Sequence, residues 1–246
     1  MHSRKRSGKG RPPGAPVAVI TGAGRGIGRA TAEAFAVEGY AVVVAERVPA
    51  LGRRTERALV KAGARALFLP TDVADPASVA RTARAVLRRF GRLDCLVNNA
   101  GVLTPGPLVD LAVADLDRML AVNLHGPLFF ARAVLPAMRR QRSGTIVNVA
   151  SQLGKVGAAG YATYCASKFG VVGLTEALAE ELAGTGIRVW AVCPGLVDTP
   201  MARRAVGASA RERAGPIEPE AVARVIVDLA TGRRREASGT AVDVLR

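Results

Sequence analysis

The segment VAVITGAGRGIGRATAEAF, residues 17–35, runs from an apolar strand through a glycine-rich turn into a helix. The glycines of this turn include Gly22, Gly26 and Gly28. Such glycines let the backbone approach a pyrophosphate, whose charge is favoured at the N-terminus of the following helix. The spacing is GxxxGxG rather than GxGxxG, since Ile27 and Arg29 stand where a third glycine would be needed. The turn alone is a weak signal, because glycines at a helix start also permit close packing of helix and strand.

Beyond this turn, short apolar runs alternate with longer helical stretches as far as the C-terminus. This alternation is typical of repeated βαβ units, whose parallel strands are buried on both faces. We therefore predict a single α/β domain over residues 16–246, a Rossmann-type doubly wound parallel sheet of about seven strands flanked by helices. The predicted strands cover residues 17–20, 41–45, 65–69, 95–97, 145–149, 187–192 and 240–244.

The third predicted helix shows its start plainly in the sequence. Asp75 is placed to cap the free N–H groups, and Pro76 occupies the first helical position. Apolar residues then follow at helical spacing: Val79, Ala83, Val86, Leu87 and Phe90. These signals predict an amphipathic helix that packs against the sheet.

The composition limits the class of protein. The chain has 246 residues and three widely spaced cysteines, Cys95, Cys165 and Cys193. There is no CxxC pair and the only histidines are His2 and His125, so we predict neither a disulfide framework nor a metal site. No apolar run approaches the roughly 18 to 20 residues that span a bilayer, and we expect a soluble cytoplasmic protein without a membrane partner.

Residues 1–15 are basic, rich in glycine and proline, and without the apolar periodicity of a folded segment. We predict that they form a disordered basic tail. The net charge of +15 raises the question of nucleic-acid binding, because Lys and Arg clusters bind phosphate backbones. With 4% aromatic residues and no reader motif, we expect no specific nucleic-acid partner and interpret the arginines as solvated helix faces.

Glu46 ends the second predicted strand, 18 residues after Gly28. An acidic residue near this distance meets the adenosine ribose hydroxyls in dinucleotide-binding folds, and its charge repels a 2′-phosphate. We therefore predict NAD as the preferred cofactor. The adjacent Arg47 keeps NADP open, because a guanidinium pairs with a phosphate if Glu46 turns away. A solvated charge at the strand end is the alternative role for Glu46.

Tyr164 and Lys168, in the stretch YCASK, lie four residues apart on a predicted helix and so share one face. A phenol has an unperturbed pKa of about 10 and is a poor base at neutral pH. A neighbouring ammonium favours the phenolate, so we expect Lys168 to lower the pKa of Tyr164 and the pair to act as general acid/base. YxxxK also occurs by chance, and a packed tyrosine beside a solvated lysine is then its explanation.

Six ordered motifs together resemble the short-chain dehydrogenase/reductase family, and the similarity covers residues 16–246. They are TGAGRGIG (21–28), NNAG (98–101), VNLHG (122–126), Ser151, YCASK (164–168) and PGLVDTP (194–200). Each motif is weak by itself, whereas the ordered set is hard to obtain by chance. The resemblance implies an NAD(P)-dependent oxidoreductase that interconverts a secondary alcohol and a ketone, or a 3-oxoacyl-type carbonyl, by hydride transfer.

The resemblance also implies roles for individual residues. Tyr164 would transfer the proton, Ser151 would hydrogen-bond the substrate oxygen, and Lys168 would bias Tyr164 and bind the nicotinamide ribose. Asn123 would help to hold a water in a proton path towards Lys168. The cofactor would contact Gly22, Arg25, Gly26, Ile27, Gly28, Glu46, Arg47, Asp72, Val73, Asn99, Ala100, Gly101, Tyr164, Lys168, Pro194, Gly195, Val197 and Thr199. Asn98 is expected on the same wall of the site.

The substrate end of the site is less well marked. Residues 201–216 follow the nicotinamide loop where the family has a mobile substrate lid, and here they are rich in arginine. Arg203 and Arg204 either attract an anionic substrate or are solvated lid charges. Gln152, Leu153 and Val102 are expected to face the pocket, which implies a lining that is partly apolar and partly polar.

Family membership by resemblance also implies a homo-oligomer, a dimer or a homotetramer, with the helices carrying VNLHG and YCASK at an interface. The C-terminal GTAVDVLR departs from the VDGG-like ending of many members. Two alternatives share the fold. A non-catalytic dinucleotide-binding regulator would have lost the tyrosine, lysine or serine, and all three are present. A nucleotide-sugar epimerase or dehydratase would carry a larger C-terminal region.

Overall fold

A computed structural model describes residues 14–207 and 215–245 of the chain. Residues 1–13, which are most of the predicted basic tail, lie outside the described residues. Residues 208–214, which belong to the predicted lid segment, also lie outside them. The fold below is that of the described part.

Seven parallel strands form one sheet in the order β3-β2-β1-β4-β5-β6-β7. All seven predicted strands are present, each within two residues of its predicted bounds. The strands are β1 (Val17–Thr21), β2 (Ala41–Glu46), β3 (Ala66–Pro70), β4 (Cys95–Asn98), β5 (Gly144–Val149), β6 (Ile187–Pro194) and β7 (Ala241–Val244). The predicted fold class, a doubly wound parallel sheet in a single domain, is therefore confirmed.

Helices connect the strands and cover both faces of the sheet. They are α1 (Gly26–Val37), α2 (Pro49–Lys61), α3 (Pro76–Phe90), α4 (Val113–Leu120), α5 (Gly126–Gln141), α6 (Ala162–Glu181), α7 (Pro200–Ala205) and α8 (Pro219–Thr231). Phe35 of α1, Leu59 of α2 and Ile226 of α8 are buried in one core layer. Val86 of α3 and Phe130 of α5 are buried in the layer on the opposite face.

The start of α3 is capped as predicted. Asp75 accepts hydrogen bonds from the backbone N–H groups of Ala77 at 2.8 Å and Ser78 at 3.1 Å. Pro76 is the first helical residue, and Gly91 ends the helix in the left-handed conformation with φ of 71°. An aspartate at the N-cap and a left-handed glycine after the last turn are both common ways to end a helix.

One continuous helical stretch, Val113–Gln141, is long and apolar enough by length and composition to cross a membrane, which corrects the expectation that no such run exists. It contains α4, a π-helical turn over Ala121–His125, and α5. Its inner side packs on the sheet through Phe130, Val134 and Met138. Core helices of soluble proteins pass the same test, so the finding is weak evidence for a membrane span.

The strand order changes direction between β1 and β4, because the chain passes from β3 across to the far side of β1. At such a switch point, the connections that leave neighbouring strands run to opposite faces of the sheet and leave a crevice beyond the carboxyl ends. The residues that follow these strands all face the crevice: Gly22, Arg47, Thr71, Asn99, Ser151 and Gly195. The fold thus places the sequence motifs at one edge.

Candidate active site

A cavity of about 680 Å³ opens at this edge of the sheet. It extends from the glycine-rich turn to the start of α6, and it is within the size range of small-molecule and cofactor sites. It gathers nearly all of the predicted cofactor contacts: Gly22, Arg25, Gly26, Ile27, Glu46, Arg47, Asp72, Val73, Asn99, Ala100, Gly101, Tyr164, Lys168, Pro194, Gly195, Val197 and Thr199. Gly28 lies behind the turn and does not line the cavity.

The glycine-rich turn has the backbone conformation that its sequence predicts. Gly22 and Gly26 have positive φ values of 63° and 53°, a region that residues with a side chain rarely adopt. A Cβ atom at Gly28 would collide with the carbonyl oxygen of Gly22. Gly28 therefore serves the close approach of α1 to the turn, which is the packing role that glycine also has at such positions.

The N-terminus of α1 is open towards the cavity. Within the described residues, no side chain caps its first N–H groups, and the first turn contains no acidic residue. The start of α3, by contrast, is capped by Asp75. Free N–H groups and the positive end of the helix dipole favour an anion at this place.

Glu46 is buried at the end of β2 and lines the cavity. Its carboxylate accepts hydrogen bonds from the backbone N–H groups of Gly24 at 3.1 Å and Val48 at 2.9 Å. These bonds hold its negative charge beside the glycine-rich turn. Arg25 and Arg47 also line this end of the cavity, and both are exposed.

Hydrogen bonds attach the NNAG motif to the end of β1. The hydroxyl of Thr21 accepts hydrogen bonds from the backbone N–H groups of Asn99 and Ala100, both at 2.9 Å. The side chain of Asn99 donates to the carbonyl of Thr21 at 2.8 Å. Asn98 does not lie on the cavity wall as expected, because its side chain is buried within the sheet and donates to Asn148 at 2.9 Å.

Asp72 and Val73 lie on the cavity wall after β3. The Asp72 carboxylate accepts a hydrogen bond from the backbone N–H of Ala74 at 3.0 Å, which is a local turn role. Val73 is buried against Gly126, at the start of α5. Both residues are therefore held by contacts within the protein on the wall where cofactor contacts are predicted.

Tyr164, Ser151 and Lys168 converge on the opposite end of the cavity. Ser151 lies two residues after the end of β5, while Tyr164 and Lys168 share one face of α6. The Ser151 hydroxyl lies close enough to the Tyr164 hydroxyl to lower its pKa. It also accepts a hydrogen bond from the backbone N–H of Leu153 at 3.1 Å, which fixes its orientation.

Burial dominates the protonation of both helix residues. It raises the pKa of Tyr164 to about 12, although the nearby Ser151 side chain acts in the opposite direction. It lowers the pKa of Lys168 to about 8, against a smaller contribution from Cys193. The expectation that Lys168 lowers the pKa of Tyr164 is therefore wrong for the chain by itself. The Lys168 ammonium donates at 2.7 Å to the carbonyl of Val149, on the strand below.

Asn123 lies behind the cavity wall, on the π-helical turn between α4 and α5. Its side chain exchanges two hydrogen bonds with the backbone of Val102, at 2.8 and 2.9 Å, and donates to Ser167 at 3.1 Å. A Cβ on Gly101 would lie 3.5 Å from the Asn123 oxygen and 3.9 Å from the Lys168 nitrogen. Asn123 and Lys168 thus both lie close to Gly101.

The segment after β6 closes the cavity. Thr199 caps α7 by accepting a hydrogen bond from the backbone N–H of Ala202 at 3.2 Å. Arg203 does not face the main cavity, because its guanidinium forms two hydrogen bonds with Asp198, at 2.8 and 2.6 Å. Arg204 is exposed and does not line the cavity either. The idea that these two arginines attract an anionic substrate is therefore not supported by their positions.

Several cavity residues were not identified from the sequence. The hydroxyl of Tyr161 lies 3.5 Å from the carbonyl of Ala205 and connects the start of α6 with α7. Its position three residues before Tyr164 is the signal that could have found it, because such residues share a helix face. The other unpredicted lining residues include Leu103, Arg118, Val122, Met201, Ala205 and Val206.

The residues present fit a nicotinamide dinucleotide. A Cβ at Gly26 would reach 3.1 Å from the Thr199 side chain, so only glycine leaves this part of the cavity clear. The uncapped α1 N-terminus suits a pyrophosphate, and the buried carboxylate of Glu46 suits ribose hydroxyls. The proton-transferring candidates lie at the other end of the same cavity.

Comparison with known proteins gives a consistent result. The profile of a family described as short chain dehydrogenase matches residues 16–209. A putative ketoacyl reductase of the monensin polyketide synthase from Streptomyces virginiae is 46% identical over 190 residues, which are 76% of this chain and 73% of that protein. A 3-oxoacyl-(acyl-carrier-protein) reductase from Thermotoga maritima is 38% identical over 239 residues, covering 93% and 95% of the two chains.

A solved structure has the same fold. It is a 3-ketoacyl-(acyl-carrier-protein) reductase from Brucella melitensis complexed with NADH, with a TM-score of 0.88 and 32% sequence identity. The match covers 94% of this chain and 96% of that one. That protein binds its dinucleotide on the architecture described above.

Proposed function

The chain belongs to the short chain dehydrogenase family, and from this premise we propose that it interconverts a secondary alcohol and a ketone with Tyr164 as general acid/base. It is a nicotinamide-dependent oxidoreductase that acts on small alcohol or carbonyl compounds. The observation that carries the role of Tyr164 is its convergence with Ser151 and Lys168 at one end of the dinucleotide-sized cavity.

The protonation state of Tyr164 supports a role as proton donor during carbonyl reduction. Because burial raises its pKa to about 12, the phenol keeps its proton at neutral pH. The Ser151 hydroxyl lies close to it, so a carbonyl oxygen placed between them would be able to accept hydrogen bonds from both groups. Alcohol oxidation needs the reverse proton transfer, to Tyr164.

The cofactor, when bound, supplies or accepts the hydride. Gly22, Gly26 and the start of α1 would hold its pyrophosphate, and Lys168 would hydrogen-bond the ribose next to the nicotinamide. Lys168 is already fixed by the Val149 carbonyl, which leaves two of the three ammonium protons for other partners. Asn123 supports this end from behind by fixing Val102.

We favour NAD over NADP. The carboxylate of Glu46 is fixed by two backbone N–H groups, so it cannot turn away from the adenosine end without losing both hydrogen bonds. Its charge disfavours a 2′-phosphate there. Arg25 and Arg47 act in the opposite direction, because both are exposed at the same end and could pair with that phosphate.

A homo-oligomer, either a dimer or a tetramer, is part of the proposal. Leu128 of α5 and Phe169 of α6 are 40% and 45% exposed, so both helices offer a large apolar side chain to an interface. Light scattering coupled to size exclusion would give the mass directly. A monomeric mass at micromolar concentration would refute this part.

The activity is tested with a panel of ketones and secondary alcohols, each assayed with NAD(H) and NADP(H) by absorbance near 340 nm, roughly the maximum of the reduced ring. The panel should include simple ketones, cyclic ketones and 3-oxoacyl thioesters. We expect turnover of at least one class, with higher kcat/KM for NAD(H). Absence of turnover with every class would contradict the proposed reaction.

A further inference from the structure

Gln152 follows Ser151 in the chain, and both residues line the cavity. Its amide nitrogen donates to the carboxylate of Asp243 at 2.7 Å and to the carbonyl of Cys193 at 3.0 Å. Both partners can only accept hydrogen bonds, since Asp243 is ionised and Cys193 contributes a carbonyl. The amide nitrogen, which is the donor, must therefore face these two acceptors, and this fixes which way round the amide group lies.

The other amide atom, the Oε1 oxygen, has no hydrogen-bond partner among the described residues. Neither Asp243 nor Cys193 lines the cavity, so the nitrogen is turned away from it. The oxygen diverges from the nitrogen at the amide carbon, so it points away from these two partners and is the amide atom left for a ligand. The cavity that Gln152 lines is also lined by the apolar residues Leu103, Leu153, Met201, Ala205 and Val206, together with Ser151, Tyr161 and Tyr164.

Asp243 is itself fixed by Lys155. The Lys155 ammonium donates to the Asp243 carboxylate at 2.5 Å and to the carbonyl of Ala241 at 2.8 Å. Hydrogen bonds from Lys155, with a smaller contribution from Gln152, lower the pKa of Asp243, so the carboxylate remains an acceptor at neutral pH. Asp243 belongs to the C-terminal segment that departs from the family's usual ending, and it anchors a pocket residue.

We propose that Gln152 is a specificity-determining residue whose Oε1 atom accepts a hydrogen bond from a second hydroxyl group of the substrate, close to the reacting carbon. The favoured substrates are then vicinal diols and the corresponding α-hydroxy ketones. Asp243 is a positioning residue that keeps the amide oxygen, rather than the amide nitrogen, facing the cavity. This inference rests on the proposed function, because it assigns the substrate class of the same site.

The inference follows from how polar groups behave in an apolar surrounding. An acceptor that is held in place and loses its water when a substrate fills the cavity is unfavourable while it is unpaired, and a donor on the substrate relieves this penalty. A substrate with a hydroxyl at that position supplies the donor, whereas an analogue without it leaves the oxygen unpaired. One neutral hydrogen bond corresponds to a difference of about fivefold in affinity.

The test compares cyclohexanol with the cis and trans isomers of cyclohexane-1,2-diol, which differ from it by one hydroxyl. For each variant, kcat/KM is measured for the diol and for cyclohexanol, and the ratio of the two values is compared. The ratio removes any effect of a substitution that changes kcat/KM for both substrates equally. We expect a ratio of about five or more for at least one diol isomer in the wild type. In Gln152→Met, which has a similar shape without the acceptor, the ratio should fall to about one.

Two further variants examine the positioning role and a matched control. Asp243→Ala should lower the ratio as Gln152→Met does, mainly through KM for the diol, whereas Asp243→Asn keeps an acceptor oxygen and should restore part of it. Gln141→Met makes the same chemical change on α5, where Gln141 bonds the backbone of Leu93, and should leave the ratio unchanged.

Binding provides a readout that does not depend on turnover. Calorimetric titration of the wild-type enzyme, saturated with reduced cofactor, should show about fivefold tighter binding of a diol isomer than of cyclohexanol. Equal affinities, no measurable diol binding, or an unchanged ratio in Gln152→Met would overturn the assignment. The proposed function fails separately, if the panel of carbonyl compounds gives no turnover.

Discussion

The ammonium nitrogen of Lys168 lies 5.7 Å from the centre of the Tyr164 ring, over its face. Lys168 is buried and Tyr164 is half-buried at the cavity wall, and desolvation shifts their pKa values in opposite directions, to about 12 for the tyrosine and about 8 for the lysine. Each shift favours the neutral form of its group. The pair is thus built into an apolar setting in which charge is costly until a ligand supplies compensating contacts.

Tyr164→Phe removes the proposed proton-transferring hydroxyl while keeping the ring. We expect kcat to fall by about 10² to 10⁴-fold, the usual contribution of a placed general acid/base. Cofactor affinity, measured by titrating the fluorescence of the reduced cofactor, should change little. Tyr40→Phe removes a hydroxyl from a ring that packs on Phe35, away from the cavity, and serves as the matched control. Near-normal turnover in Tyr164→Phe would reject the role of Tyr164.

The buried lysine predicts a specific dependence of stability on pH. Its pKa is about 8 in the folded chain, against an ordinary value of 10.5 for an exposed lysine, so the unfolded chain binds more protons between these values. Stability must therefore rise with pH across this window. In Lys168→Met this contribution is absent.

Measured by urea unfolding, the free energy of unfolding of the wild type should increase by about 2 kcal/mol relative to Lys168→Met between about pH 7 and pH 10. Taking the difference between the two proteins removes the titration of groups that they share. Lys61→Met, at the exposed end of α2, should show no such trend. A difference that is constant with pH would mean that Lys168 is not buried as a neutralised amine.

Much of the site could be predicted because its residues follow strand ends. The glycine-rich turn, Glu46, Asn99 and Ser151 each lie at or just after the end of a strand, and parallel strands bring their carboxyl ends to one edge. Periodicity locates the strands, so it also locates these residues. Tyr164 needed the ordered motifs as well, since its spacing from Lys168 is common.

The missed features depend on contacts that are remote in sequence. Glu46 is held in part by Gly24, 22 residues earlier, and Gln152 by Asp243, 91 residues later. The predicted direction of the Tyr164 pKa shift was wrong for a related reason. Helical spacing indicates that Lys168 is near, whereas the degree of burial, which decides the sign, depends on the whole fold.

Asp75→Ala tests the capping of α3, an element whose start the sequence predicts. The carboxylate satisfies two backbone N–H groups, and its loss should lower the free energy of unfolding by about 1 kcal/mol. Denaturant unfolding at neutral pH measures this. Asp75→Asn should recover most of the loss, and equal stability of all three proteins would show that the cap contributes nothing.

Glu46→Gln tests the basis of cofactor choice. The change removes the negative charge but keeps one oxygen that can accept a hydrogen bond from Gly24 or Val48. Without repulsion of a 2′-phosphate, and with Arg25 and Arg47 exposed at the same end, the ratio of kcat/KM for NADP over NAD should rise about tenfold or more, which is about 1.4 kcal/mol.

The control for this change is Glu33→Gln, which removes the same charge on α1 from a residue that pairs with Arg29 outside the main cavity. If both variants shifted the ratio equally, a general field effect would explain the result rather than a local contact. A wild-type enzyme that already prefers NADP would refute the role of Glu46 outright. In that case the two exposed arginines, rather than the buried carboxylate, would determine which dinucleotide binds at the end of β2.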